Sequence, residues 1–326
     1  MVKFKEMALN NPLISVIMPA YNVEKYIEKA IESILKQSYS NLELLICDDG
    51  SVDKTVEIIK RFKDTRISLY KNEINLGNLK TTNFLFSKCQ GDYIALQDAD
   101  DFSEINRLEL LLNQFNLNDK LGIVGSYYNM IDNDSTIFQC GLIPSSNLFI
   151  QKEMEIEVAP FLYPSAMVKK QVLDKIGGFR MFFNRKGYAD FDWMARICEV
   201  SQAENINLPL YNYRKHLDSF TTIALRKEKT IIEEYMHYLM IHAHKDRLNG
   251  KKDFFELNDE RKMLKTIALK QCEDAKLFFW DKNKINLPLF FKAISNDPFN
   301  FKIYKDLFYI IRKKISNEKC NQKNYN

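Results

Sequence analysis

Short apolar runs alternate with amphipathic helical stretches through the first 130 residues, and few folds are compatible with that rhythm. Runs of this kind read as strands buried on both faces. When helical stretches separate them, right-handed crossovers join them into a parallel sheet. LISVIMP (Leu13 to Pro19) predicts a first strand stopped by proline. Asn22 then caps a helix whose Val23, Ile27, Ala30, Ile31, Ile34 and Leu35 keep the 3.6-residue period. LELLIC (Leu42 to Cys47) predicts a second strand and Val52 to Phe62 its return helix; Ile67 to Tyr70 follows as a third strand, Leu79 to Lys88 as a helix and Tyr93 to Leu96 as a fourth strand. A helix over 104–116 and a strand over 123–127 complete an α/β series, read as a doubly wound, mostly parallel sheet.

Beyond it the pattern changes twice. From Asp132 to Tyr213 the chain is irregular, with prolines at 144, 160, 164 and 209 and one clear helix, Asp190 to Glu199, as expected of an elaboration on the same sheet. After His216 it is helical, near 225–248, 260–279, 289–295 and 304–315, with breaks at Asn249-Gly250 and Pro288. No uncharged run exceeds seventeen residues; the one from Ser135 to Gln151 is studded with polar groups, so it is short of a membrane span. The start offers only Leu13 to Met18 as an apolar stretch, less than a secretory signal needs, and the expectation is a cytoplasmic protein. The six cysteines lie too far apart in sequence for a zinc or redox pair and read as buried apolar fillers. A net charge of +4 is too small to argue for nucleic acid, and it is concentrated at the end: from Phe301 onward seven Lys or Arg face only Asp306 and Glu318.

In open α/β sheets ligands gather at the carboxyl ends of the strands. There the sequence places Pro19-Ala20-Tyr21-Asn22, then Asp48-Asp49-Gly50-Ser51, then Gln97-Asp98-Ala99-Asp100-Asp101. Three carboxylates within four residues repel unless a cation neutralises them, and Asp-x-Asp at a strand end offers magnesium or manganese a partial oxygen shell. The plainer alternative is a solvated loop or a cap for the helix near Glu104. The first strand is followed by no glycine-rich phosphate turn and the chain has no Walker loop, so a nucleotide on this sheet needs a metal for its diphosphate.

SVIMPAYN (15–22), LLICDDGSVDKT (44–55), Asn75, Gly77 and Asn83, GDYIALQDADD (91–101), GGF (177–179) and YADFDW (188–193) together resemble the successive motifs of the family 2 glycosyltransferases, in order across residues 13–216. The resemblance implies a GT-A fold over 1–220, with a nucleotide-sugar half at 13–130 and an acceptor half at 131–220, and a separate helical region over 221–326. It implies inverting transfer of a hexosyl or N-acetylhexosaminyl group from a nucleotide-diphosphate sugar, with uridine favoured as the base, to a glycan or lipid-linked acceptor in surface polysaccharide synthesis. Position by position, Pro19, Tyr21 and Asp49 match residues that line the nucleoside pocket, Asp49 accepting from the base. Asp98 matches the residue near the ribose, Asp100 the metal-binding acid and Asp190 the general base. Ala189 stands where the family usually has glutamate. Tyr213 to His216 is similar to the closing basic segment, so Arg214 is expected to clamp the diphosphate and His216 to bind metal or phosphate; an ordinary surface quartet is the alternative. The Gln-x-x-Arg-Trp of processive members and their membrane spans are absent, which favours addition of one sugar.

Inverting transfer needs a carboxylate to take the acceptor's proton. Asp190 opens a helix, where the dipole favours the ionised form, although an aspartate there is equally an ordinary N-cap, and Asp192 is the rival base. Trp193 reads as a packed aromatic and Arg196 as an exposed helix charge. His237, His242 and His244 read as surface residues. The basic, aromatic C-terminal helices are expected either to lie on an anionic membrane or to pack their apolar face on the catalytic domain. A nucleotidyltransferase and a catalytically silent nucleotide-sugar-binding module are the competing readings.

Overall fold

The computed structural model describes residues 11–155, 161–216, 229–282 and 284–323. Its contacts divide the chain into two compact units, Met1–Lys227 and Glu228–Asn326.

The first unit runs β1 (Ile14–Ala20), α1 (Ile27–Leu35), β2 (Leu42–Asp48), α2 (Thr55–Ile59), β3 (Ile67–Lys71), α3 (Asn78–Phe86), β4 (Tyr93–Leu96), β5 (Phe102–Ser103), α4 (Arg107–Leu117), β6 (Leu121–Ile131), β7 (Ile137–Gly141), α5 (Asn147–Glu155), β8 (Met167–Lys169), α6 (Lys170–Ile176), α7 (Ala189–Cys198) and β9 (Gln202–Arg214). The sheet order is β3-β2-β1-β4-β8-β6-β9-β5, with β7 paired to β6. β3, β2, β1 and β4 are parallel, as the alternating pattern dictates. Their aliphatic side chains are buried: Val16, Met18, Leu44, Ile46 and Ala95 pack with the inner face of α1, Ile27, Ala30, Ile31 and Ile34. Ala20 lies opposite Asp48, and Ile17 opposite Leu96. The three sequence motifs therefore leave the sheet along one edge.

Four expectations are corrected. Asn22 does not cap α1, which starts at Ile27; instead its backbone takes φ 51°, its side chain accepts from the Val52 N–H at 3.0 Å and its own N–H donates to Ser51 Oγ at 2.9 Å. The helix expected over 52–62 is only Thr55–Ile59, because Asp53 turns back to accept the Thr55 N–H and so ends the preceding loop. The sheet is mixed beyond β4, where β8 runs antiparallel to both β4 and β6. The irregular stretch hides the thirteen-residue β9, parallel to β6 with register shifts between Ser126, Tyr127 and Tyr128. Pro209 and those irregularities erase any period of two in the sequence.

Cys47, Cys89, Cys198 and Cys272 are buried as expected, and burial pushes each thiol up to about 12, but Cys140 on β7 is exposed. Cys320 lies where side chains are not described.

The second unit comprises α8 (Ile231–Glu234), α9 (Met236–Leu248), α10 (Glu260–Lys282), α11 (Leu287–Asn296) and α12 (Phe301–Lys323). Thr230 and Glu233 close a capping box ahead of α8. Ala268, Cys272, Ala275 and Phe279 of α10 meet Phe290 and Ala293 of α11 and Ile303 and Ile310 of α12 in a separate small core. The start of the helix expected over 225–248 falls on residues 217–228, outside the described residues.

Candidate active site

Where β1 and β2 end, two loops lace together: Val23 N–H donates to Thr55 Oγ1, Glu24 N–H to Asp53 Oδ2 and Lys54 N–H to Glu24 Oε2. β1 runs through Pro19, the residue expected to stop it, to Ala20, and Tyr21 follows with 44% of its surface exposed, a ring open to stacking. Asp49 is buried; its Oδ1 accepts from Asn72 Nδ2 at 2.8 Å and the Leu76 N–H at 2.9 Å, and its Oδ2 from the Gly77 N–H at 2.9 Å. A carboxylate has roughly four acceptor sites, so three bonds leave Asp49 one for a ligand. Gly50 is required here: at φ +79° its Cβ would lie 2.8 Å from the Ile74 carbonyl carbon.

After β4 comes the acidic turn. One oxygen from each of Asp98, Asp100 and Asp101 lies within 4.8 Å of the others. Burial, then the charges of Asp100 and Asp190, push the Asp98 carboxyl up to about 8. Burial, then Asp100 and Asp98, hold Asp101 well above the usual range. Asp101 Oδ1 accepts the Arg214 N–H at 2.7 Å, while its buried Oδ2 has no hydrogen-bond partner among the described residues.

A buried cation fixes this turn from behind. Arg107, at 0% exposure, donates to Leu96 O at 2.7 Å, Pro164 O at 3.0 Å, Gln97 Oε1 at 3.1 Å and Ser103 Oγ at 2.7 Å, with its guanidinium 5.0 Å from the Tyr211 ring centre. Tyr211 Oη in turn accepts from the Asp98 N–H at 3.1 Å. Burial lowers the Arg107 pKa to about 10, so it stays charged at neutral pH. Tyr211 carries no local sign of this role in the sequence, whereas Arg107 shares the buried stripe of α4 with Leu108, Leu111, Leu112 and Phe115.

Arg214 and His216 both reach the turn, but in different ways. His216 Nε2 lies 2.9 Å from Asp100 Oδ2. The Arg214 guanidinium is buried and donates to Asp100 O, Asp132 O, Asn133 O and Ser135 Oγ. It also stacks 4.6 Å from the Tyr26 ring centre. Four of its five N–H groups are thereby engaged, so it braces the turn here and does not stand free to clamp a diphosphate.

Asp190 sits in the first turn of α7, behind Tyr188 at φ 65°, and its Oδ1 accepts the Phe191 N–H at 2.9 Å. Burial raises its carboxyl above 3.8, so desolvation outweighs the helix dipole that was expected to hold it low. Asp98 feels its charge, and the buried Tyr163 hydroxyl feels both, which places Asp190 beside the acidic turn. Asp192 is excluded as a base. It is fully buried, its Oδ2 accepts Arg196 Nε at 3.0 Å and its Oδ1 lies 3.5 Å from Arg180 Nη1. Arg196, expected to be exposed, is buried and also donates to Ile176 O and Gly178 O. Trp193 is packed as expected, stacked on Phe86. Asn83 exchanges hydrogen bonds with the backbone of Phe179, joining α3 to the GGF loop. Ala189 is buried and brings no acceptor to the wall.

The donor set fits a hard divalent cation: clustered carboxylates, one buried oxygen lacking a donor, an imidazole beside Asp100, and mutual repulsion that added positive charge relieves.

Residues 15–186 match the model of Glycosyl transferase family 2, and the chain belongs to that family of glycosyltransferases. The nucleotidyltransferase reading is set aside. A UDP-Glc:alpha-D-GlcNAc-diphosphoundecaprenol beta-1,3-glucosyltransferase, WfaP of Escherichia coli, is 31% identical over 225 residues, covering 68% of this chain and 84% of that one. An uncharacterized glycosyltransferase of Haemophilus influenzae is 44% identical over 126 residues, 38% of this chain and 50% of its own length. Among solved structures, S. aureus TarS 1-349 in complex with UDP-GlcNAc superposes with a TM-score of 0.60 at 18% identity, over 96% of this chain and 91% of that one, which shows the shared GT-A fold.

Proposed function

We propose that the chain transfers one sugar, with inversion, from a UDP-sugar to a glycan or lipid-linked acceptor, using Mn²⁺ or Mg²⁺. The observation that carries this reading is the convergence of three carboxylates and His216 at the turn after β4, with Asp190 close enough to raise Asp98. Pro19, Tyr21 and the remaining acceptor site of Asp49 are proposed to receive the nucleoside, and Asp98 the ribose. Asp100, Asp101 and His216 would hold the cation. When bound, it supplies positive charge to a departing diphosphate, so no acid residue is needed.

The acceptor hydroxyl oxygen bonds to the anomeric carbon as the bond to the diphosphate oxygen breaks, and Asp190 takes the hydroxyl proton. A carboxyl raised by burial suits this task, because a base is most effective with its pKa near the working pH. The lipid-linked acceptor is favoured by the name of the Escherichia coli relative. The test is Mn²⁺-dependent release of UDP from a panel of UDP-sugars. Asp190→Asn is expected to lose release by at least ~100-fold while nucleotide still raises the melting temperature. Turnover that survives in this variant, or in protein stripped by a chelator, refutes the assignment.

A further inference from the structure

Helix α12 presents a face that the transfer chemistry does not use. It buries Ile303 and Ile310, with Leu307 beside them, against α10 and α11. The opposite face of a helix packed this way is ordinarily polar. Here positions 301, 304, 305, 308, 309 and 312 share it at helical spacing and all are exposed: Phe301 at 86% and Phe308 at 74%, with Tyr304, Tyr309, Lys305 and Arg312. Exposed Lys302 and Lys313 flank them. The one acid between 301 and 314, Asp306, turns to the other side, where it meets Lys276 of α10 at 3.2 Å. Over the described side chains, 301–314, the face therefore carries four aromatic rings and four cations and no anion.

We infer that this face docks the protein on a bilayer rich in anionic lipid. Exposed rings interleaved with Lys and Arg match the layering of a membrane boundary, where rings enter at headgroup depth and cations stay with the lipid phosphates. The helix lies on the surface, since none among the described residues is long and apolar enough to cross a membrane. Single-stranded nucleic acid also pairs with rings and cations, but it is held in grooves, and the outer side of one helix is convex. The purpose of the docking rests on the proposed lipid-linked acceptor, which would be presented at that surface; the docking itself needs neither donor nor acceptor.

The experiment is flotation of the full chain with vesicles of phosphatidylethanolamine and phosphatidylglycerol, and with vesicles of phosphatidylcholine alone. Binding is expected to the anionic vesicles, weakened by salt, and at least ~10-fold poorer to the neutral ones. Phe301→Ser with Phe308→Ser is expected to lower partitioning by about 100-fold, roughly tenfold per ring. Lys305→Gln with Arg312→Gln should lower it by about 25-fold, roughly fivefold per charge. All four positions are exposed, so circular dichroism should be unchanged. Absent or headgroup-indifferent binding overturns the inference, as does binding unaffected by the ring variants. It is equally overturned if the chain binds an oligonucleotide but no vesicle, or if sedimentation shows a dimer that the ring variants dissociate and no vesicle binding. Failure to float leaves the transferase reading standing, whereas wild-type protein that releases no UDP sinks that reading alone.

Discussion

Replacing Arg107 with methionine keeps most of the side-chain volume and removes the guanidinium. Four buried acceptors, Leu96 O, Pro164 O, Gln97 Oε1 and Ser103 Oγ, then lose their donor, and Asp98 and Asp101 lose the buried cation behind them. Orphaned acceptors cost about 1–3 kcal/mol each, partly recovered because methionine needs no desolvation; loss of one member of a buried charge arrangement costs about 3–5 kcal/mol in all. The expected destabilisation is therefore about 3–5 kcal/mol. Urea unfolding followed by tryptophan fluorescence reads it well, because Trp193 is fully buried in the same unit, whereas the other tryptophan, Trp280, is already exposed. Arg107→Lys should restore less than half of the loss, since one ammonium cannot span four acceptors. Adding Asp98→Asn to the methionine variant should recover at least ~1 kcal/mol, because the variant leaves that carboxyl without its counter-charge. A methionine variant within ~1 kcal/mol of wild type, or strictly additive effects in the double variant, would show that Arg107 does not support the acidic turn.

Two further outcomes follow from the same site. In chelator-treated protein Asp98, raised from 3.8 to about 8, keeps its proton in the folded state after the unfolded chain has lost it, so stability should fall as pH rises from about 4 to 8. Asp98→Asn should flatten that fall in melting temperature, and a variant whose pH dependence matches wild type refutes the attribution. Asp192→Ala leaves Arg196 and Arg180 without their shared carboxylate, and should cost about 3–5 kcal/mol in urea unfolding. A loss below ~1 kcal/mol would mean that the pair does not hold α7 in place.

The sequence makes legible what depends on local period and on residues next to strand ends. The parallel half is written in consecutive aliphatic runs because both faces of those strands are buried, and Asp98, Asp100 and Asp101 stand out because like charges crowd. What it conceals is set by partners distant along the chain. Arg196 reads as a surface charge until the carbonyls of Ile176 and Gly178, at and just past the end of α6, are seen to receive its guanidinium. Arg214 reads as a phosphate clamp until the turn at 132–135 is seen to occupy it. β9 has no period because bulges repeatedly shift its register, and β8 is too short at three residues to show one. The dipole argument for Asp190 is sound locally, but burial imposed by the whole site overrides it.

The grip of Asp132, Asn133 and Ser135 on the Arg214 guanidinium, and of Arg214 on Asp100 O through that guanidinium and on Asp101 through its backbone N–H, ties the tip of an outer hairpin to the strand-end acids through one residue. Insertions or deletions in that hairpin are thus not neutral decoration. Any change in its length would slacken or tighten the guanidinium and displace the acidic turn with it, so selection on the proposed cation site would be felt by residues outside that site.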